Sequence, residues 1–241
     1  IDMKSSVLEG KRAFVSGATG GIGKAIAIAL AESGCDLFLT STNSHDLEDL
    51  AKSFSKYDVT VSFLHGDLRK NTDVYKIINA AHRVFGNIDI LINSAGVFPN
   101  QSLFDITDDN IADVFDINFR SAFLFIREFA KNMTDRKMGR IVNIGSSSAY
   151  FGFKGTGAYC ASKHALLGLS KSVHDELKEY NVRTYSVSPS STQSKMGLAT
   201  KGQDYSTFLD PKDVAKYVVF VISFDSNIMS EEIFLKRMTV R

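Results

Sequence analysis

The chain has little with which to staple or clamp itself. Only two cysteines, Cys35 and Cys160, occur in 241 residues. Cys35 stands just before an apolar run that reads as a strand and Cys160 lies far along the chain, which argues against a disulfide framework. A reducing, cytoplasmic location is expected instead. Five histidines (His45, His65, His82, His164 and His174) are scattered without the spacing of metal ligands, so no metal site is expected. Charge of either sign is not in excess: 28 basic against 27 acidic residues leaves +1, which removes the electrostatic case for a nucleic-acid partner. No export signal stands out and no apolar span approaches the roughly 20 residues needed to cross a bilayer, so no membrane partner is expected. Tryptophan is absent and prolines number three, and neither a Pro/Ser-rich linker nor a repeat divides the chain. A single domain over residues 1–241 is the resulting expectation.

What is present is a regular alternation of apolar runs and helix-forming segments. Residues 12–16, 36–40, 59–64, 88–92, 140–144, 182–187 and 232–236 read as strands. Between them, 24–32, 45–57, 72–85, 107–133, 159–180 and 211–223 read as helices, with Asn43 or Ser44 capping the second and Gly34 and Gly86 ending the first and third. The strands are near-continuously apolar, as strands covered on both faces must be. The pattern predicts an α/β fold: a Rossmann-like doubly wound sheet of about seven mostly parallel strands with helices on both faces.

In such a sheet the first strand-to-helix turn is where a dinucleotide pyrophosphate sits, because glycines admit backbone N–H groups and the helix N-terminus favours negative charge. Here that turn holds Gly17, Thr19, Gly20, Gly21, Ile22 and Gly23. A further absence follows at the end of the second strand. Thr40, Ser41, Thr42 and Asn43 include no acid to accept from a ribose 2′-hydroxyl and repel a 2′-phosphate. NADP is therefore preferred; no Arg or Lys stands there either, so NAD remains the alternative.

Ser146 closes the strand at 140–144, and Tyr159 and Lys163 lie four residues apart, on one face if the segment is helical. A hydroxyl, a phenol and an ammonium could meet there. A second Tyr-x-x-x-Lys, Tyr150 with Lys154, sits in a glycine-rich stretch that opposes a helix, whereas Tyr159 opens a good helical run. Tyr159 is the one expected to act. The aromatics Phe98, Tyr150, Phe151 and Phe153, with Pro99, line either an apolar substrate pocket or a core or subunit contact.

These features together resemble the short-chain dehydrogenase/reductase family over essentially the whole chain. Gly17, Gly21 and Gly23 are similar to its phosphate-binding signature, and Asp67 with Leu68 to its adenine-contacting position. Asn93, Ala95 and Gly96 fall in its Asn-Asn-Ala-Gly motif, with Ser94 as a departure. Asn118 matches its helix-borne catalytic Asn, and Ser146, Tyr159 and Lys163 its remaining catalytic residues. Pro189, Ser190, Thr192 and Ser194 resemble the loop beside the nicotinamide, and Ile144 borders the same site.

The resemblance implies hydride transfer between a nicotinamide and a carbonyl or alcohol carbon. Tyr159 would be the proton donor, its pKa lowered by Lys163, which would also hold the nicotinamide ribose. Ser146 would hold the substrate oxygen, and Asn118 would position a water leading to solvent. Members that reduce 3-oxoacyl thioesters are the nearest in kind, which implies a carrier-bound acyl chain among the substrates. The family's usual homodimer or homotetramer is likewise implied. Two departures stand out. Ser190 replaces a Gly beside the nicotinamide, and the C-terminal segment lacks the frequent Asp-Gly-Gly. They keep a second reading open, a cofactor-binding sensor or scaffold with weak or no turnover.

Overall fold

Seven short runs pair side by side, all parallel, in the order β3-β2-β1-β4-β5-β6-β7. They are β1 (Arg12–Ser16), β2 (Asp36–Thr40), β3 (Val61–Phe63), β4 (Ile90–Asn93), β5 (Gly139–Ile144), β6 (Val182–Pro189) and β7 (Glu232–Leu235). The structure is a computed structural model and describes residues 7–198 and 202–239. The helices are α1 (Gly21–Glu32), α2 (Ser44–Lys52), α3 (Asn71–Phe85), α4 (Asp108–Phe115), α5 (Ser121–Asp135), α6 (Gly157–Leu177), the short α7 (Lys195–Leu198) and α8 (Pro211–Ile222).

Alternation along the strands divides the core between the two faces. Ala13 and Val15 of β1 pack on one side with α1 and α8 through Ile26, Leu30, Val214 and Val218. Phe14, between them, points to the other side, where α3 and α5 supply Ile77, Phe125 and Phe129. Its ring lies 4.8 Å from that of Phe125 and 5.0 Å from that of Phe129. A fully buried aromatic of this kind contributes on the order of 3 kcal/mol by burial, so this cluster anchors the middle of the sheet.

Local signals set most element ends. Asn43 caps α2 by accepting from the N–H groups of His45 and Asp46, Thr107 caps α4, and Asp210 caps α8 ahead of Pro211. Three expectations need adjustment. The second helix stops at Lys52 rather than Tyr57, where the Ser53 hydroxyl donates to the Leu50 carbonyl at 2.6 Å and the chain turns. The third strand is trimmed to the three residues that find partners on β2. The long helix expected over 107–133 is two α-helices joined by a π turn at Asp116–Arg120.

β1 pairs with β2 on one side and β4 on the other. The chain order reverses at this point, so the connections after β1 and β4 leave to opposite faces and open a crevice at their C-terminal ends. Ser16, at the end of β1, holds the crevice wall in place: its hydroxyl donates to the Ile92 carbonyl and accepts from the N–H of Ser94.

Candidate active site

A cleft of about 1090 Å³ runs from this crevice across the ends of β1, β4, β5 and β6. At one end lies the turn between β1 and α1. Gly17 has φ of +65°, and a Cβ there would stand 2.7 Å from the backbone of Ala95. A Cβ on Gly23 would stand 2.3 Å from the carbonyl oxygen of Gly17. Only glycine fits either place. Gly20 caps α1 without a side-chain bond, and no acid occupies the first turn. The helix therefore presents unsatisfied N–H groups and its positive dipole end beside Gly20–Gly23, a cradle suited to a pyrophosphate.

Further along the same wall, Ser41 and Thr42 line the cleft, and the hydroxyls of Ser41 and Thr19 meet at 2.6 Å. Asp67 also lines it, its carboxylate gripped by Arg69, which holds it below the usual carboxylate range. Thr40 is not delivered to the cleft. It is buried, and its hydroxyl donates to the Leu64 carbonyl at 2.7 Å.

The other end holds Ser146, Tyr159 and Lys163. Ser146 follows β5 and caps a 3₁₀ turn, accepting from the N–H of Ser148 at 3.1 Å. Tyr159 and Lys163 lie in the first two turns of α6, both buried, with the ammonium nitrogen 5.7 Å from the phenol ring centre. Lys163 donates to the Ile144 carbonyl at 2.8 Å. Phe98 packs edge-on against the Tyr159 ring at 4.7 Å.

Burial governs the titration of both groups. It pushes the Tyr159 phenol up to about 12, with the neighbouring Ser146 hydroxyl acting in the opposite direction. It pulls the Lys163 ammonium down to about 8. Burial is thus the largest influence on the phenol, and the Lys163 ammonium is turned toward the Ile144 carbonyl.

Asn118 sits in the π turn, with its amide fully used. Its oxygen accepts from the N–H of Val97 at 2.8 Å, and its nitrogen donates to the Val97 carbonyl at 3.0 Å and to the Ser162 hydroxyl at 3.1 Å. Ser162 in turn donates to the Tyr159 carbonyl. The side chain therefore fastens the β4 connection to the start of α6. Gly96 lies between Asn118 and Lys163, and a Cβ on it would stand 3.4 Å from the one and 3.8 Å from the other. Asn93 is also set back from the cleft. It donates to Asn143 on β5, which donates to Ser170 on α6, a buried polar chain tying sheet to helix.

Pro189, Ser190, Thr192 and Ser194 line the cleft at the end of β6, with Leu68, Ala95, Gly96 and Ile144 on the walls. Ser190 does not crowd this region with its hydroxyl, which accepts from the backbone N–H of Arg237. Of the aromatics, Phe98 and Phe153 border the cleft, whereas the Tyr150 and Phe151 rings pack on Phe234. Lining residues the sequence reading missed include Gly66, Gly145, Met196 and Gln203. The two glycines sit just past strand ends, a positional signal that was available; Met196 and Gln203 come from a returning loop that carries none. Residues 199–201 of that loop lie outside the described residues. Among the described residues there is no cluster that could hold a metal ion, and no helix is long and apolar enough to cross a membrane.

Comparison with known proteins agrees with this geometry. A family model described as short chain dehydrogenase matches residues 11–204. An uncharacterised oxidoreductase of Escherichia coli (strain K12), YgcW, is 35% identical over 194 residues, covering 80% of this chain and 74% of the relative. The 2,3-dihydro-2,3-dihydroxybenzoate dehydrogenase of Bacillus subtilis (strain 168) is 34% identical over the same shares. Among solved structures, a metagenomic short-chain oxidoreductase in complex with NADP superimposes with a TM-score of 0.85. It is 26% identical, covering 97% of this chain and 100% of that one. The chain belongs to the short-chain dehydrogenase/reductase family, a family of oxidoreductases.

Proposed function

We propose that the protein is an NADP-preferring reductase of ketones or aldehydes, running in reverse as an alcohol dehydrogenase. One observation carries this reading. Ser146, Tyr159 and Lys163 face the same cleft as an uncapped helix N-terminus whose glycines leave room for nothing but backbone.

When bound, the nicotinamide cofactor supplies or accepts a hydride. The protein's own residues handle the proton. Tyr159, with its phenol pushed up to about 12, is proton-loaded at neutral pH and is the acid that protonates the carbonyl oxygen. Lys163, pulled down to about 8, is still charged at pH 7 and stabilises the phenolate left behind. Ser146 donates to the same substrate oxygen and fixes it beside Tyr159. Asn118 holds Val97 and the start of α6 in register, which makes it a positioning residue.

The preference for NADP is supported by the lack of an acid after β2 and by the NADP-bound relative of 26% identity. Hydroxyls of Thr19, Ser41 and Thr42 are the donors on offer to a 2′-phosphate. Phe98, Phe153, Ile117 and Met196 border the substrate end and favour an apolar ketone. A 3-oxoacyl thioester on a carrier is the best single candidate. The exposed Phe123 on α5 and Tyr217 and Phe220 on α8 give apolar faces for a homodimer or homotetramer. Two free, buried cysteines suit a reducing cytoplasm, and the unbroken sheet suits one catalytic domain.

Purified protein mixed with NADPH, or separately NADH, and a panel of ketones, β-ketothioesters and aldehydes tests the reading. Cofactor oxidation faster with NADPH, on at least one carbonyl, is the expected result. Tight NADPH binding without turnover on any of them would establish the sensor reading instead.

A further inference from the structure

Arg237 follows β7 and does not line the cleft, yet it touches two segments that border it, Ser190 and residues 203–208. Its backbone N–H donates to the Ser190 hydroxyl at 3.2 Å. One end of its guanidinium donates to the Thr207 hydroxyl at 3.1 Å and the other to the Gln203 side-chain oxygen at 2.6 Å. The guanidinium carbon also stands 4.9 Å from the centre of the Phe208 ring, which is buried. The guanidinium's own partners, Thr207, Gln203 and Phe208, are neutral oxygens and an aromatic face, the environment that a planar, weakly hydrated guanidinium suits and a lysine ammonium does not.

The segments so held are the rim of the site. Ser190 and Gln203 line the cleft. Ser191 and Leu209 close the neck of the rim, with the Leu209 N–H donating to the Ser191 carbonyl at 3.0 Å and the Gln193 N–H donating to the Leu209 carbonyl at 2.9 Å. The Ser191 hydroxyl also donates to the Gln203 oxygen that Arg237 holds. Gly197 of α7 lies against Phe208, where a Cβ would stand 3.4 Å from the ring, and Met196 beside it lines the cleft. Arg237 thus sits behind the rim, in contact with Ser190, Gln203, Thr207 and Phe208.

We infer that Arg237 is a positioning residue for substrate: its backbone is tied to Ser190, and its guanidinium clasps the 203–208 segment so that Gln203 and Met196 form one side of the substrate pocket. This rests on the reductase reading of the cleft. It also assigns a use to the two departures from the family pattern, since the hydroxyl of Ser190 and the C-terminal segment are partners in one contact. Neither departure then bears against turnover.

The test compares Arg237→Met, which keeps the apolar stem and removes the fork, with Arg237→Lys and Gln203→Ala. Two readouts are taken: tryptic cleavage at Lys195, followed by mass spectrometry, and KM and kcat for whichever panel carbonyl the native protein reduces with NADPH. Arg237→Met should raise the cleavage rate about tenfold, since proteolysis follows local opening of the rim. KM should rise by about tenfold with kcat within roughly twofold, the mark of lost substrate positioning rather than lost chemistry. Arg237→Lys should recover less than half of either effect. Gln203→Ala combined with Arg237→Met should be no worse than Arg237→Met alone, because the two act through one contact. Native cleavage and unchanged KM in Arg237→Met, or additive effects in the double variant, would overturn the inference. If the native protein reduces no carbonyl, the reductase reading fails while cleavage at Lys195 still decides whether Arg237 holds the rim.

Discussion

Tyr159 and Tyr150 each stand four residues before a lysine, yet only one pair is built into the site. Tyr159 and Lys163 occupy successive turns of α6, buried, with the ammonium 5.7 Å from the ring. Tyr150 ends a 3₁₀ turn, and its ring stacks on Phe234 at 5.0 Å, away from the cleft. Lys154 lies in the irregular stretch that follows and reaches the cleft rim alone. The same residues at the same spacing thus have different environments because one backbone is helical and the other is irregular, with Gly152 inside it and Gly155 just beyond. The phenols differ accordingly. Burial raises both, and a serine hydroxyl opposes the rise in each, Ser188 at Tyr150 and Ser146 at Tyr159; Tyr150 also has Glu232 beside it, which raises it further. A carboxylate neighbour works against phenolate formation, while a hydroxyl neighbour assists it.

Paired substitutions give the sharpest test of this contrast. Tyr159→Phe should lower kcat/KM for carbonyl reduction on the order of 10³-fold while NADPH still binds, and Tyr150→Phe should stay within about twofold. Equal losses would end the distinction between the two copies. Next in size is the effect of the lysine. In the native protein, reduction should weaken as pH rises through about 8, where Lys163 loses the charge that stabilises the developing phenolate. Lys163→Met should lower kcat/KM on the order of 10²-fold and abolish that step in the pH–rate profile. A step near 8 that survives in Lys163→Met belongs to another group. The smallest effect concerns what holds the working pair in place. Asn118→Ala leaves the part-buried N–H and carbonyl of Val97 without this partner and should lower unfolding free energy by about 1–2 kcal/mol in denaturant titration.

Much of this arrangement could be read directly from the residues. The parallel sheet follows from short apolar runs separated by helices, and the glycine turn and the Tyr159–Lys163 pair are local patterns that need no distant partner to recognise. What escaped the reading depends on contacts far apart in the chain. Thr40 and Asn93 look like cofactor residues in their segments, but Leu64 and Asn143 claim their side chains. Ser190 looks like an obstruction until Arg237, 47 residues later, accounts for its hydroxyl. The phenol's upward shift depends on burial by the whole fold, against which the Ser146 hydroxyl is a smaller influence. The π turn leaves no mark in a helical pattern rich in Phe and Ile.

That turn has a consequence for how the molecule tolerates change in length. Its five residues fit one more into the coil than regular α geometry would, and the helices on either side are phased by it. Removing a single residue from 116–120 would let the coil return to regular α geometry with α4 and α5 close to their present phase. Leu124, Phe125 and Phe129 would keep to the sheet's face, while the widened turn that aims Asn118 at Val97 and Ser162 would be gone. A deletion of one residue there should therefore leave the core packed and loosen the site, so that folding and site geometry come apart at this position.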